Sequence, residues 1–442
     1  MCGASARELA MSEMAQMGLI AAVFVVLLVG GMWIPFAIAL TSVLYILMAS
    51  GWAGLQGLGL VSWGSTYSFT LTAIPLFVLM AELMLESGLS QRVYRGMSYL
   101  VRPLPGGLLQ TNVAGCAAFS AISGSSVATA AAVGSIAIPQ LRSRGYDNPL
   151  AAGTLVAGGT LGILIPPSIA MIIYGTFTDT SIAKLFMAGV VPGLLLCGLF
   201  MLYVGVRCLI NPRLAPRGGG EHANTSMREL AGDVLPFFLL ILLVLGGLYL
   251  GFTTPTEAAG VGAVLAFAIS KIWGVLGWKQ LRAALEKTVM VSGTILFIVY
   301  AAYLFSYAIG MVGVTDELAD GLQRLGLSSG EFLLLIIVFY TLLGMLMDSI
   351  GMIVITVPLL YPLVVGYGFD PVWFGVLLVV LIELGQVTPP TGLNLFVVKS
   401  VSGFSLGEII RGSIPFCLLF YVLIALLYLF PALALWMPQG LK

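Results

Sequence analysis

Apolar stretches long enough to cross a hydrocarbon core, separated by short polar loops, dominate this chain. About ten of them read as crossings, near 17–31, 34–49, 69–86, 149–175, 185–206, 234–251, 258–273, 288–312, 371–398 and 413–430. The first two are short, and one long kinked helix is the rival reading there. Two further stretches, 107–141 and 331–365, carry a polar interruption at the middle: SGSS at 123–126 and MDS at 347–349. Each is too long for one crossing and short for two with a loop outside. A re-entrant hairpin with its tip inside the protein fits them better.

The pattern occurs twice. A shift of 223 positions lays Pro139 on Pro362, Gly162 on Gly385, Pro166 and Pro167 on Pro389 and Pro390, Gly189 on Gly412, and Pro192 on Pro415. Gly145, Tyr146 and Asp147 fall on Gly368, Phe369 and Asp370, and Ser126 falls on Ser349. Prolines and glycines constrain backbone, so a common register of them predicts common architecture. The expected organisation is an N-terminal tail (1–16), a first repeat (17–210) with hairpin 107–141 and broken helix 149–175, and a linker (211–233). A second repeat (234–433) with hairpin 331–365 and broken helix 371–398, then a C-terminal tail (434–442), completes it. Internal duplication in a membrane chain is the pattern of secondary transporters, whose site forms where the repeats meet.

Composition agrees: 60% hydrophobic and 9% charged residues exclude a soluble globular domain. With 19 basic and 19 acidic residues, total charge argues for neither nucleic acid nor an acidic partner. The five cysteines show no metal-ligand spacing and read as packing residues. The one histidine, His222, sits in a polar loop, which excludes a histidine triad or metal cluster inside the membrane. The N-terminus does not read as a cleavable signal, because the apolar stretch after Glu13 runs too long.

Charge placement predicts orientation. Arg92, Arg95 and Arg102 precede the first hairpin and Arg142 and Arg144 follow it, so both its ends are expected in the cytoplasm. Arg207, Arg213, Arg217 and Arg228, then Lys271, Lys279, Arg282 and Lys287, mark further cytoplasmic segments. The second hairpin is flanked instead by Asp316, Glu317, Asp320, Glu331 and Asp370, and should open outward. The repeats are then inverted, with both termini outside the cytoplasm. The amphipathic pieces 90–103 and 274–287 read as arm helices along the membrane surface or as solvated loops.

Chemistry concentrates at the two hairpin tips and at the double-proline breaks GILIPPS (162–168) and GQVTPPTGLN (385–394). Adjacent prolines remove two backbone donors and force the helix open. An unwound stretch offers carbonyls to a cation and half-helix N-termini to an anion, and is tolerated at depth where it lines a cavity or is buried in protein. Asp348 is the sharpest single residue, since a carboxylate at a central membrane position costs about 2.5–3.5 kcal/mol and wants a cation, a proton or a partner. A sodium ion completed by carbonyls of the tip and of Thr388, Pro389 and Pro390 answers that need. Glu82 and Glu383 are less decisive, each able to face water or bond a neighbouring helix. The interior holds no arginine clamp for an anionic substrate. Ser125, Ser126, Ser168, Thr391 and Asn394 are the candidates to bind one, with Tyr174 and Asn112 weaker.

The segments SGSSVAT, IPQLRSRGYDNPLAAGTLVAGGTLGILIPPSIAMIIYG, MDSIGMIVITVPLLYP and GQVTPPTGLNLFV resemble the large membrane subunit of the tripartite ATP-independent periplasmic (TRAP) transporters, over nearly the whole chain. The resemblance implies a multi-pass protein of the bacterial inner membrane and sodium-driven uptake of organic acids, with sodium as coupling ion and no other cofactor. It also implies delivery by a periplasmic substrate-binding protein, and an elevator motion against a scaffold shared with a separate small four-helix membrane subunit. Matched to the family's motifs, its sodium-binding tips fall on Ser123, Gly124 and Ser125, and on Asp348 and Ser349. Its broken helices fall on 162–168, including Gly162 and Pro166, and on 385–392, including Gly385, Thr388 and Pro389. Many members carry a carboxylate where this chain has Thr129.

Two other readings stand beside this one. A self-sufficient sodium- or proton-coupled organic-anion symporter would need no binding protein. An intramembrane hydrolase using a serine of SGSS lacks a general base, since His222 is in a loop and Lys184 and Lys399 lie near segment ends.

Overall fold

The computed structural model describes residues 18–20, 22–216, 227–390 and 392–440, and the regular elements among them are all helices. The tail 1–16, His222 and Thr391 lie outside the described residues.

The first half opens with a short apolar helix α1 (Gly18–Val29). Next come α2 (Ile34–Gly54), kinked at Gly51, and α3 (Leu58–Thr66), joined by a single 3-10 turn at Leu55–Gly57 into an apolar track of 33 residues. The hydropathy pattern stops this crossing at 49, because glycines at 51, 54, 57, 59 and 64 imitate a loop. Helix α4 (Ala73–Glu86) turns by 75° into α5 (Leu89–Leu100) at Gly88, whose φ of 76° is open to glycine without steric cost. Helix α5 is the amphipathic arm expected near 90–103: Leu89, Val93 and Tyr94 face inward, and Arg95 reaches Asp233 at 2.7 Å. The hairpin α6 (Leu108–Ser123) and α7 (Ser126–Ser143), the broken pair α8 (Asn148–Leu164) and α9 (Ile169–Thr178), and the long α10 (Ile182–Ile210) complete this half.

The second half follows with α11 (Met227–Tyr249), α12 (Pro255–Ile272), α13 (Trp278–Val312) and α14 (Val314–Leu325). The hairpin is α15 (Ser329–Gly344) and α16 (Ser349–Gly366), the broken pair α17 (Pro371–Val387) and α18 (Leu393–Ser402), and the last long helix α19 (Leu406–Leu429), with α20 (Ala432–Leu435) after it. The arm expected at 274–287 is not a separate element: from Trp278 onward it forms the first turns of the 35-residue α13. Nothing between 287 and 288 stops the helix, so the polar turns simply continue into the apolar ones. The amphipathic helix of this half is α14 instead.

Among the described residues eight tracks are able, by length and composition, to cross a membrane, or nine with α4 and α5 taken as one bent span. Helix α16 is among them at 18 residues, whereas α1, α17 and α18 each fall short alone. Two element pairs keep the sequence offset of 223 at both ends: 126–143 with 349–366, and 148–164 with 371–387.

The broken helices form the centre. All residues from Leu150 to Leu164 and from Trp373 to Val387 are buried, which accounts for their all-round apolar or small-residue sequences. Helix α8 packs on α6, α7 and α19, and α17 packs on α15 and α10. Outside this centre α2, α4, α12 and α13 pack on one another as a second group, joined to the first where α13 meets α16, where α4 meets α6, and through the arm α5.

Candidate functional site

Both hairpins end in a capped turn. In the first, Gly124 takes the left-handed φ of 60° that ends α6, and Ser125 begins α7 by accepting the Ala128 N–H. The Ser123 and Thr129 hydroxyls meet at 2.6 Å. Thr129 therefore supplies a neutral partner where a carboxylate would bring charge. The tip rests directly on the break between α8 and α9: a Cβ added to Gly162 would stand 2.5 Å from the Ser125 carbonyl oxygen, and one on Gly124 3.0 Å from the Pro167 carbonyl oxygen. Only glycine permits that approach. Pro166, Pro167 and Ser168 are buried, and the Ser168 hydroxyl caps α9 by accepting the Met171 N–H.

The second tip is built differently. Asp348 occupies the position 223 residues beyond Ser125 and likewise caps its helix, with Oδ2 accepting the N–H groups of Ile350 and Gly351 at 3.1 and 3.3 Å. Its other oxygen, Oδ1, is buried with no hydrogen-bond partner. Leu346 at the same tip is 79% exposed, and Pro390 of the second break is exposed where Pro167 is buried. The close approach shifts as well: Gly385 meets Gly344, on the shaft of α15, so tightly that a Cβ on either would lie within 2.6 Å of the other's Cα. Helices α15 and α16 separate from one another, α15 following α17 and α16 following α9 and α13. The two double-proline peptide bonds, Pro166–Pro167 and Pro389–Pro390, are both cis.

Several hydroxyls and amides read as substrate candidates turn into the protein. Ser126 donates to Gln386 Oε1 at 3.1 Å, linking the first tip to the second broken helix. Asn394 is fully buried and its Nδ2 points to Glu383 Oε2 at 3.5 Å. Tyr174 donates to the Pro371 carbonyl at 2.7 Å, and Asn112 lies between Tyr94 and Thr154. Ser125 is half-buried at the tip, beside the break. Sequence reasoning passed over Gln386 and left Glu383 undecided. The available signal was two polar residues, three apart, inside an otherwise apolar run.

A model of the family "Tripartite ATP-independent periplasmic transporter, DctM component" matches residues 21–433. A C4-dicarboxylate TRAP transporter large permease protein of Pseudomonas aeruginosa is 37% identical over 376 residues, covering 84% of this chain and 87% of that one. A sialic acid TRAP transporter large permease protein of Vibrio cholerae is 30% identical over 417 residues, covering 93% and 96%. Among solved structures, the Alcanivorax borkumensis YdaH transporter, described as having an unusual topology, superposes with a TM-score of 0.65 over 92% of this chain and 98% of that one, at 16% identity. That likeness is one of fold.

Proposed function

Given that the chain belongs to the DctM component family of tripartite ATP-independent periplasmic transporters, and is a multi-pass permease subunit of the bacterial inner membrane rather than an enzyme, we propose that it imports small organic acids by sodium-coupled symport. On this reading a periplasmic substrate-binding protein delivers the substrate, and a small four-helix membrane subunit supports the outer helices. The relatives' carboxylated cargoes, C4-dicarboxylate and sialic acid, favour an acid as substrate.

One observation carries the ion coupling: Asp348 Oδ1 is buried at the second hairpin tip with no partner. Its side chain, with carbonyls of Gly385, Thr388 and Pro389 and the Ser349 hydroxyl, offers the all-oxygen donor set that a hard cation prefers. At the first tip Ser123, Gly124, Ser125, Gly162 and Pro166 offer hydroxyls and carbonyls but no charge. A sodium ion, when bound, supplies the positive charge that neutralises the carboxylate and draws carbonyls together.

The chain's own groups do the rest. Ser125 presents a hydroxyl at the start of α7, and the free N–H groups of α7, α9 and α18 favour a carboxylate at the breaks. Buried Ser168 caps α9, Ser126 and Asn394 bond the side chains of Gln386 and Glu383, and Thr391 follows Pro390 in the sequence. The division into a buried centre and an outer helix group supports an elevator movement of the first against the second.

Purified protein, reconstituted with its small subunit and a loaded binding protein, tests the reading. Uptake should require an inward sodium gradient, rise under an inside-negative potential when two sodium ions accompany a monocarboxylate, and need no ATP. The potential contributes about 2.3 kcal/mol per net charge at 100 mV. Uptake that persists without binding protein supports a self-sufficient symporter, and uptake that needs ATP overturns secondary transport.

A further inference from the structure

Glu383 is 1% exposed, on α17, and belongs to none of the groups assigned above. Two polar side chains meet it, Asn394 from α18 and Ser126 from α7, and the Ser126 hydroxyl also donates to Gln386, one turn further along α17. All four are at most 2% exposed, and the set is poorly satisfied. Glu383 Oε1, Asn394 Oδ1 and Gln386 Nε2 have no partner, and the contact between Asn394 and Glu383 is at the outer limit for a hydrogen bond. Buried polar atoms left unpaired each cost about 1–3 kcal/mol, so three in one place call for an occupant.

The fold does not require them. At the positions 223 residues earlier stand Thr160, Ile163 and Met171 for Glu383, Gln386 and Asn394. All three are buried, and the Thr160 hydroxyl is satisfied within its own helix by the Ala157 carbonyl. The same helical break is thus built in the first repeat with no polar cluster.

We propose that Glu383, Asn394, Gln386 and Ser126 form a sodium site inside the protein, beneath the first hairpin tip and separate from the Asp348 tip. A half-turn of the Asn394 amide about its last bond takes no extra volume and brings Oδ1 onto the carboxylate side. The cluster then presents the Glu383 carboxylate, the Asn394 and Gln386 amide oxygens and the Ser126 hydroxyl, an oxygen set suited to a hard cation. Charge selects a monovalent ion. The four side chains carry one negative charge, and the ion pairs seen among the described residues, Arg95–Asp233, Arg282–Glu286 and Lys287–Glu86, leave Glu383 without a cationic partner. A divalent ion would leave an unbalanced buried charge. Because Ser126 comes from the hairpin and the other three from the broken helix, the bound ion ties the first tip to the second repeat.

This refines the transporter reading by locating a coupling ion, but the test is one of equilibrium binding and needs no transport. Full-length protein in detergent is titrated with sodium chloride against choline chloride at constant ionic strength, following thermal unfolding and bound radioactive sodium. The expected result is saturable stabilisation of the wild type, and one fewer sodium ion per chain in Glu383→Gln, while Asp348→Asn retains that ion. Asn394→Asp adds a second carboxylate and should confer stabilisation by calcium that the wild type lacks. Unchanged sodium stoichiometry in a folded Glu383→Gln overturns the site. So does wild-type stabilisation that follows pH and not sodium, which would make the cluster a proton site. If Glu383→Gln does not fold, Asn394→Asp decides: no response to calcium together with unaltered sodium affinity overturns the proposal.

Discussion

The two hairpin tips share a register and differ in nearly everything a solute would meet. Ser125 and Asp348 sit at matched positions and each caps the helix that follows. The first tip is sealed onto its break, with Ser123 bonded to Thr129 and Gly162 under Ser125. The second leaves a charged oxygen unpartnered, Leu346 and Pro390 exposed, and its tightest contact down the shaft of α15. What both repeats retain is the backbone device of a cap, a turn and a double proline. What they vary is the side chain placed on it. A cap position needs only an acceptor, so serine and aspartate both fold there, and only one of them brings charge into the membrane.

The comparison breaks most completely if the two hairpins enter from the same face. Ser143 and Gly366 are exposed, lie 223 residues apart and end α7 and α16. In a background lacking native cysteines, Ser143→Cys should be labelled by a membrane-impermeant thiol reagent only from the cytoplasm, and Gly366→Cys only from outside. Labelling of both from one face removes the inverted arrangement.

Exchanging charge at the caps gives the next largest effect. Asp348→Asn keeps the cap and the volume, so folding should survive while the sodium concentration for half-maximal uptake rises about tenfold or more, a loss of at least about 1.4 kcal/mol. Normal sodium activation at normal expression would make Asp348 a cap and nothing else.

Glycine substitutions sharpen the contrast in contact. An alanine at Gly162 or at Gly385 would place Cβ 2.5 Å from backbone atoms of the neighbouring hairpin, and each should cost about 1–3 kcal/mol of stability by overpacking. Gly162→Ala moves the tip and should depress uptake further than its loss of stability accounts for. Gly385→Ala keeps its carbonyl and displaces the shaft of α15, so uptake per folded molecule should fall less than in Gly162→Ala. Equal uptake in both variants would show that tip and shaft contacts are equivalent.

The smallest effect is expected of Ser125→Ala. It removes a cap worth about 1 kcal/mol, lowering the unfolding temperature by a few degrees with sodium dependence close to wild type. A sodium response lost as fully as in Asp348→Asn would place the first tip's ion on this hydroxyl.

How much of this was legible in the chain depended on whether the signal was carried by backbone or by contact. Pro166, Pro167, Pro389 and Pro390 declared the breaks because proline acts on its own helix, and SGSS and MDS declared the tips because they interrupt long apolar runs. The elements α7, α8, α16 and α17 begin and end as those signals require. The track through Gly51 to Thr66 was missed because its glycines imitate a loop, and the unbroken α13 because its polar turns imitate a separate arm. Within the candidate site, Asp348 stood out as a lone charge. The inward turn of Asn394 toward Glu383, and the reach of Ser126 to Gln386 across 260 residues, depend on how the two repeats pack and leave no local trace.

The packing of α8 also bears on whether either half could stand alone. Its partners include α19 from the other half, and the two backbones pass so closely that a Cβ on Gly412 would lie within 2 Å of the Pro149 carbonyl oxygen. Helix α7 rests on α18, and α9 on α16, in the same crossed fashion. Neither half finishes its own interior. Either half alone would leave the Gly153 side of α8 without the Gly412 backbone that covers it, so the interior closes only when both halves are present together.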